Sequence, residues 1–106
     1  MATLENFRKL SLRVGQIVDA QDHPNADRLY VLTVDLGDIK KQIVAGIRIH
    51  YTKEELQGKK CIVIDNLDTA ILRGVESHGM LLAAKDAKTL SLVTLEKEVA
   101  LGSPVT

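Results

Sequence analysis

Alternation of apolar and polar residues over short stretches most constrains how this chain can fold. In residues 30–36, the four even positions are apolar and alternate with Val31, Thr33 and Asp35, the pattern of a strand with one buried face. Comparable patterns predict further strands over residues 12–20, 40–47, 60–64 and 80–84. In the first of these, the face predicted to be buried is formed by Leu12, Val14, Val18 and Ala20.

Turn and helix signals separate the predicted strands. Gly37 and Asp38 predict a tight turn after the second strand. Thr52 and Glu55 form a capping box that opens a short helix before the fourth strand, which is apolar on both faces and therefore central. Three strands, a helix and two strands in this order predict an all-β OB-fold, a five-stranded Greek-key barrel with a short helix between strands 3 and 4.

The length of 106 residues suits one domain with one core. Thr3 is placed to cap an amphipathic N-terminal helix over residues 3–10, which is too short to be stable unless it packs on something. Residues 11–84 are predicted to form the barrel and residues 85–106 a C-terminal extension. The extension contains two strand-like stretches, residues 90–95 and 99–101. Apolar strands outside a closed barrel must cover its base or a second copy, so we predict a homodimer that uses this extension.

Charge and composition narrow the function classes. Fourteen basic and fourteen acidic residues give a formal net charge of zero, which argues against indiscriminate binding of nucleic acid by excess cations. The single cysteine, Cys61, lies in an apolar run, which indicates an inert core residue and no disulfide framework. No apolar stretch reaches membrane-spanning length, and the N-terminus lacks a secretory signal. We expect a cytoplasmic protein with no membrane partner.

Signals for catalysis are weak. The three histidines, His23, His50 and His78, are scattered and have no metal-ligand spacing with another histidine, cysteine or carboxylate. Ser77 precedes His78 directly, but neighbours in a strand point to opposite faces and cannot act as a nucleophile and base pair. No Gly-rich phosphate loop is present. We therefore predict no enzyme activity, no cofactor and no metal.

Two polar loops carry the functional signal. HPNADR at residues 23–28 and RGVESHG at residues 73–79 occupy the first and fourth connections between barrel strands, where OB-folds bind nucleic acids or sugars. Arginine binds phosphate or stacks on bases, serine and glutamate bond to base edges, and Gly74 and Gly79 permit positive φ or close backbone approach. The candidate RNA-binding residues are Asn25, Asp27, Arg28, Arg73, Glu76, Ser77, His78 and Met80.

Several candidates have structural alternatives. Asn25 and Asp27 belong to the residue types that hold turns together. Arg28 has Asp22 and Asp27 as nearby salt-bridge partners, and Met80 suits a core position as well as a base contact. Six lysines flank the predicted hairpin ends and could form a basic rim: Lys40, Lys41, Lys59, Lys60, Lys85 and Lys88.

The chain resembles the tRNA-binding domain family over nearly its whole length. The resemblance rests on LRVGQIVDAQDHPNADRLYVLTVDLG, IVAGI, YTKEELQGKKCIVIDNL and LRGVESHGMLLAA. It implies an OB-fold dimer that binds tRNA by shape, in trans to an aminoacyl-tRNA synthetase such as the methionyl enzyme. On matching positions, it implies tRNA contacts by Asn25, Asp27, Arg73, Glu76, Ser77 and Met80.

One segment departs from the family pattern. After Asn66 and Leu67 the family carries basic residues with a proline, whereas this chain has Asp68, Thr69, Ala70 and Ile71. Fewer cations at a binding rim reduce electrostatic affinity for RNA. The same family includes a chaperone-like protein, so the alternative is a protein-interaction dimer that binds polypeptides or assembles with a synthetase.

Overall fold

A computed structural model describes all 106 residues as a small antiparallel barrel with two very short helices. The helices are α1 (Leu4–Arg8) and α2 (Lys53–Leu56). The strands are β1 (Leu12–Asp22), β2 (Tyr30–Asp35), β3 (Lys40–Ala45), β4 (Lys60–Ile64), β5 (Ala70–Leu72), β6 (Val75–Ser77), β7 (Met80–Leu81), β8 (Ala83–Lys85) and β9 (Leu90–Leu92). Neither helix is long and apolar enough to cross a membrane.

The barrel consists of five strands in the order β3-β2-β1-β4-β7, and every neighbouring pair is antiparallel. It closes where β3 meets the chain between β6 and β7. There the His78 amide donates to the Gln42 carbonyl at 2.9 Å, and the Val44 amide donates to Ser77 Oγ at 3.0 Å. With α2 between β3 and β4, this arrangement confirms the predicted OB-fold.

The interior is almost entirely aliphatic, as the alternating pattern requires. The apolar even positions of residues 30–36 are all buried, and so are the last four residues of the central strand β4. The outward side chains of β1 and β4 form a second apolar cluster that the C-terminal residues Leu95, Leu101 and Val105 cover. The extension therefore packs on the outside of its own barrel.

Strand β1 changes partner along its length. Its first half pairs with β4 and its second half with β2, with a register shift between Ile17 and Asp19. This irregularity turns Val18 outward, so the expectation that Val18 shares the buried face was wrong: the residue is 37% exposed. Residues 102–105 run beside the first half of β1 on the edge that β2 leaves open, with the Gly102 amide donating to the Val14 carbonyl at 2.7 Å. The open edge is thereby protected from pairing with other chains.

Three predicted segments differ from the structure. Strand β3 ends at Ala45 rather than at residue 47. The predicted fifth strand over residues 80–84 is divided at Leu82, where β7 ends on the barrel and β8 begins a separate hairpin with β9. Residues 99–101 are not a strand, because the chain turns at Leu101 and Gly102 before it reaches β1. The alternating pattern predicted where strands form, but it did not predict where the chain leaves one sheet for another.

Both helices begin as predicted. Thr3 Oγ1 accepts from the Asn6 amide at 3.1 Å, and Thr52 and Glu55 form the reciprocal capping box that opens α2. Gly58, with a φ of 82°, follows α2 in the left-handed conformation typical of helix ends. The apolar side chains of α1 find little cover in their own chain, since Leu4 and Phe7 remain exposed.

Candidate nucleic-acid interface

The two predicted loops lie side by side at one end of the barrel. The first loop (residues 23–29) joins β1 to β2, and residues 65–79 contain the hairpin formed by β5 and β6. Asn25 Nδ2 donates to the Arg73 carbonyl at 3.1 Å, and Arg73 Nη2 donates to the Asn25 carbonyl at 3.4 Å. The sequence predicted a connection between the last two barrel strands without any strand in it, whereas the structure has this hairpin there, which places Arg73 over the first loop.

Arg73 has an unusual backbone conformation. The hairpin turns through Arg73 and Gly74 alone, with φ values of 53° and 89°. Positive φ at both central residues characterises the tight turn that matches the twist of a hairpin, where Asn and Gly are preferred. Arg73 is the only non-glycine residue in the chain with a positive φ, at a cost of about 1 kcal/mol. Asparagine or glycine at position 73 would therefore give a more stable protein than arginine does.

The base of the hairpin is fixed to the barrel wall. Gln42 Nε2, on β3, donates to the Glu76 carbonyl at 2.8 Å. Ser77 is almost fully buried, and its Oγ accepts from the Val44 amide while donating to the Gly79 carbonyl at 3.0 Å. A Cβ at Gly79 would lie 3.0 Å from the Ile64 carbonyl oxygen, so this glycine serves close backbone approach as predicted. The Ser77 hydroxyl is thus fully used inside the barrel wall.

A shallow cleft of about 420 Å³ lies between the first loop and the hairpin, lined by Asn25, Ala26, Asp27, Arg28, Leu29 and Arg73. The guanidinium groups of Arg28 and Arg73 have no carboxylate within salt-bridge distance. The alternative that Arg28 pairs with Asp22 is therefore wrong: Arg48 and Lys53 hold Asp22, each at 3.4 Å. The cleft presents two exposed cations without an ion-pair partner, together with the exposed carboxylate of Asp27.

Asn25 and Asp27 differ in their local roles. The Asn25 side chain holds the two loops together, because it bonds to the hairpin and not to its own turn as the structural alternative supposed. The Asp27 side chain is exposed and makes no hydrogen bond within the protein. Its carboxylate is therefore free to accept hydrogen bonds from a ligand at the cleft.

The remaining candidates, Glu76, His78 and Met80, follow the hairpin tip along the chain from β6 to the start of β7. His78 Nε2 is 3.4 Å from Glu76 Oε2, and His78 Nδ1 is 3.1 Å from Thr69 Oγ1. Met80 is on the surface, with 48% of its area exposed, rather than in the core. The exposed apolar side chains Ile71 and Leu72 on β5 lie on the same hairpin.

The predicted lysine rim is dispersed. Lys41 Nζ donates to the Asp65 carbonyl at 2.6 Å, and Lys60 Nζ lies 3.4 Å from Glu98 in the C-terminal extension. Lys59 lies over the ring of Tyr51, and Lys40 begins β3 opposite Asp35. Lys85 and Lys88 belong to the β8–β9 hairpin. These lysines do not form one continuous patch with the two arginines of the cleft.

Groups with altered pKa lie away from the cleft. Burial raises the pKa of the Cys61 thiol to about 12, so this cysteine is protonated and unreactive at neutral pH. A hydrogen bond from Arg13 lowers the pKa of Asp38 in the β2–β3 turn. No group of three or more His, Cys, Asp or Glu side chains is arranged to hold a metal ion.

Sequence reasoning missed three residues that shape the cleft. Arg48 Nη1 donates to the Ala26 carbonyl at 3.2 Å and supports the first loop, and Gln42 fixes the hairpin. His23 is buried between the first loop and the hairpin and contacts both. Nothing in the pattern indicated Arg48 or Gln42, whereas His23 begins the HPNADR motif and its position there was the available signal.

A family model described as "Putative tRNA binding domain" matches residues 12–104 of this chain. The chain therefore belongs to the tRNA-binding domain family. It is 52% identical over 101 residues to a methionine–tRNA ligase of Thermococcus onnurineus and 48% identical over 103 residues to that of Thermotoga maritima. These matches cover 95% and 97% of this chain but only 14% and 16% of the ligases, so the chain spans about a seventh of their length.

Solved structures share the whole fold. A protein titled as related to methionyl-tRNA synthetase from Pyrococcus horikoshii superposes with a TM-score of 0.92 and 34% identity, covering 100% of this chain and 98% of that one. The chaperone CsaA of Picrophilus torridus gives a TM-score of 0.92 with 29% identity and full coverage of both chains. CsaA of Bacillus anthracis gives 0.89 with 27% identity, covering 100% of this chain and 99% of that one.

Proposed function

We propose that this chain binds folded tRNA without catalysing a reaction, and that it does so at the cleft between the first loop and the β5–β6 hairpin. It recognises shape and phosphate positions rather than a base sequence. It acts in the cytoplasm and presents tRNA in trans to an aminoacyl-tRNA synthetase, the methionyl enzyme being favoured by the curated relatives.

The observation that carries this proposal is Arg73 at the hairpin tip. Its backbone is held in a conformation that costs stability, and its guanidinium lies over the cleft without a carboxylate partner. Strained residues that persist in a fold are concentrated at functional sites. An exposed guanidinium binds phosphate with two parallel hydrogen bonds, which suits a polyanion such as tRNA.

The other cleft residues have complementary roles. Arg28 supplies a second phosphate contact from the first loop. Asp27 repels phosphate, so its carboxylate must accept hydrogen bonds from ribose 2′-hydroxyls or base amino groups, the donors that RNA offers. Glu76, His78 and Met80 extend the contact from the hairpin to the start of β7. Ser77 contributes by positioning, because its hydroxyl is already used inside the barrel wall.

The zero net charge of the chain agrees with recognition of tRNA through few contacts. With a net charge of zero, binding depends on the local pair of arginines rather than on a long-range field. A homodimer would present two clefts, and two weak sites combine when one tRNA reaches both. The exposed apolar face of α1 and the neighbouring C-terminal residue Val105 support such an association.

The experiment is a titration of labelled bulk tRNA at several salt concentrations with the wild type and Arg73→Asn. Asparagine tolerates the left-handed backbone, so the variant removes the guanidinium without adding strain. We expect affinity to fall about tenfold and the salt dependence to flatten by roughly one phosphate contact.

Lys97→Ala is the matched control, because it also removes one exposed cation. Lys97 is remote from the cleft. Its neighbour Glu98 pairs with Lys60, and Lys60 lies opposite Gln16 in β1. Gln16 is six residues from Asp22, where β1 ends at the cleft. The control should bind tRNA as the wild type does. Equal losses in the two variants, or no binding by the wild type at tens of micromolar protein, would remove the proposal.

A second candidate function is binding of unfolded or partner polypeptides. It is favoured by the two solved structures titled as chaperones and by exposed apolar side chains around the hairpin, Leu67, Ile71, Leu72 and Met80. Ile71→Lys separates the two functions. It would weaken capture of an unfolded polypeptide, whereas an added cation on β5, two residues before Arg73, would strengthen tRNA binding.

A further inference from the structure

His23 lies in a surface loop, yet it is buried and both of its ring nitrogens make hydrogen bonds. The residue is only 3% exposed although it opens a surface loop. Nδ1 accepts a hydrogen bond from the Asn25 amide at 2.9 Å, and Nε2 lies 2.9 Å from the Leu72 carbonyl oxygen. A carbonyl only accepts, so Nε2 carries the hydrogen and donates it. These partners define a single tautomer.

The bond to Leu72 joins two parts of the molecule that are otherwise weakly connected. Strand β5 pairs only with β6, and the anchors from Gln42 and Val44 reach the β6 side of the hairpin. On the tip side, the remaining bonds to the barrel are those between Asn25 and Arg73, which are exposed to water. Water competes for exposed hydrogen bonds far more effectively than for a buried one. The imidazole is therefore the protected link between tip and loop.

Leu72 immediately precedes the strained Arg73, so the bond from His23 holds the hairpin directly beside the residue that lines the cleft. Without that bond, the tip could rotate about its base on β6 and carry the guanidinium away from Arg28. A phosphate site made of two arginines on separate loops needs their spacing to be held, because ordering them on binding costs conformational entropy.

We propose that His23 is a positioning residue of the tRNA site, which holds the hairpin tip against the first loop through its Nε2–H bond and so sets the distance between Arg28 and Arg73. This inference rests on the proposed function. Its physical part, the restraint of the hairpin by the imidazole, is independent of any ligand.

Two substitutions separate the two bonds of the ring. In His23→Gln, the amide nitrogen reaches the position of Nε2 and can still donate to Leu72. In His23→Asn, the side chain is shorter, so its amide oxygen takes the place of Nδ1 and accepts a hydrogen bond from the Asn25 amide, but no group reaches Leu72. His50→Asn is the matched control, because the side chain of His50 makes no hydrogen bond in the structure.

Binding of labelled tRNA and amide hydrogen exchange are measured for all four proteins. We expect His23→Asn to lose affinity about five- to tenfold and to exchange faster at residues 72–75, with unchanged exchange in β1 and β4. His23→Gln should remain within about twofold of the wild type in both measurements, as should His50→Asn. Equal impairment of the Gln and Asn variants would overturn the proposal, because it would assign the effect to packing of the ring. Wild-type behaviour of His23→Asn would overturn it as well.

The two readouts keep this inference distinct from the proposed function. If the wild type fails to bind tRNA, the function is wrong, and hydrogen exchange without ligand still decides whether His23 restrains the hairpin. Long-range nitrogen NMR of the wild-type imidazole provides a test that needs no variant. A hydrogen on Nε2 is expected, and a hydrogen on Nδ1 would refute the link.

Discussion

At the scale of single residues, Gly15 and Arg13 in β1 show how closely the fold depends on particular side chains. A Cβ at Gly15 would lie 2.7 Å from Val34 Cγ1 and 3.2 Å from Val63, both fixed in the core. Arg13, two positions earlier, bonds to Asp38 in the β2–β3 turn, to Asp65 after β4 and to the Gly102 carbonyl in the C-terminal extension. Gly15 is needed because it has no side chain, and Arg13 is needed because its long side chain bonds to three separate segments.

Gly15→Ala should destabilise the protein by about 1–3 kcal/mol, because the added methyl group overpacks the barrel interior. Chemical denaturation followed by far-ultraviolet circular dichroism measures the free energy of unfolding. Gly46→Ala is the control, since its Cβ would meet only Leu29 at 3.7 Å, an ordinary contact distance. Similar unfolding midpoints for the two variants would show that β1 is not packed as closely as described.

The Arg13–Asp38 pair predicts a pH dependence. The hydrogen bond from Arg13 lowers the pKa of Asp38 below its ordinary value of 3.8, so the ionised carboxylate favours the folded state. This stabilisation is present above pH 3.8 and is lost as pH falls through the lower pKa of the folded state. Asp38→Asn should therefore be less stable than the wild type at neutral pH, and the difference should vanish in strong acid. A difference that persists at the lowest pH would contradict this linkage.

At the scale of elements, the hairpin depends on how β6 is attached to β3. Ser77→Ala removes the acceptor of the buried Val44 amide, which should cost about 1–3 kcal/mol of stability. It should also weaken tRNA binding indirectly, since the hairpin base loses an anchor. Ser91→Ala, at an exposed position of β9, should leave both quantities unchanged. Unfolding midpoints and tRNA titrations check the pair, and an unchanged midpoint for Ser77→Ala would be inconsistent with the buried bond.

Local patterns sufficed to predict the elements whose cause is local. The alternation around Leu32 and the capping box at Thr52 each depend on residues within one short segment, and both were confirmed. The outward turn of Val18 was not predictable, because it follows from a register shift between β1 and β2. The division of the last barrel strand at Leu82 likewise depends on which sheet each half joins.

The candidate site divides in the same way. The loops that carry Asn25 and Arg73 were located from composition and from their places in the strand order, and the structure has them in direct contact. The anchors Gln42 and Arg48 lie far from those loops in sequence, and no local signal relates them to the cleft. Ser77 was expected to contact RNA because it lies in the motif, yet its burial follows from closure of the barrel, a property of the whole sheet.

At the scale of the whole molecule, the predicted homodimer remains a prediction with a clear surface to test. Leu4 and Phe7 of α1 are exposed in the isolated chain, next to the C-terminal Val105. We expect the wild type to sediment as a dimer and Phe7→Glu as a monomer, because burying a carboxylate in an apolar contact is unfavourable. Ile49→Glu, which changes an exposed apolar residue elsewhere, should leave the dimer intact. A wild type that sediments as a monomer at all concentrations would contradict the prediction.

The central claim is that folded tRNA contacts this protein at the cleft between the first loop and the hairpin. The most direct test is a titration of the isotope-labelled protein with tRNA, monitored by the backbone amide NMR signals. The largest changes are expected at residues 25–28 and 73–76. Changes confined to the β8–β9 hairpin or to α1, with the cleft signals unmoved, would contradict the account.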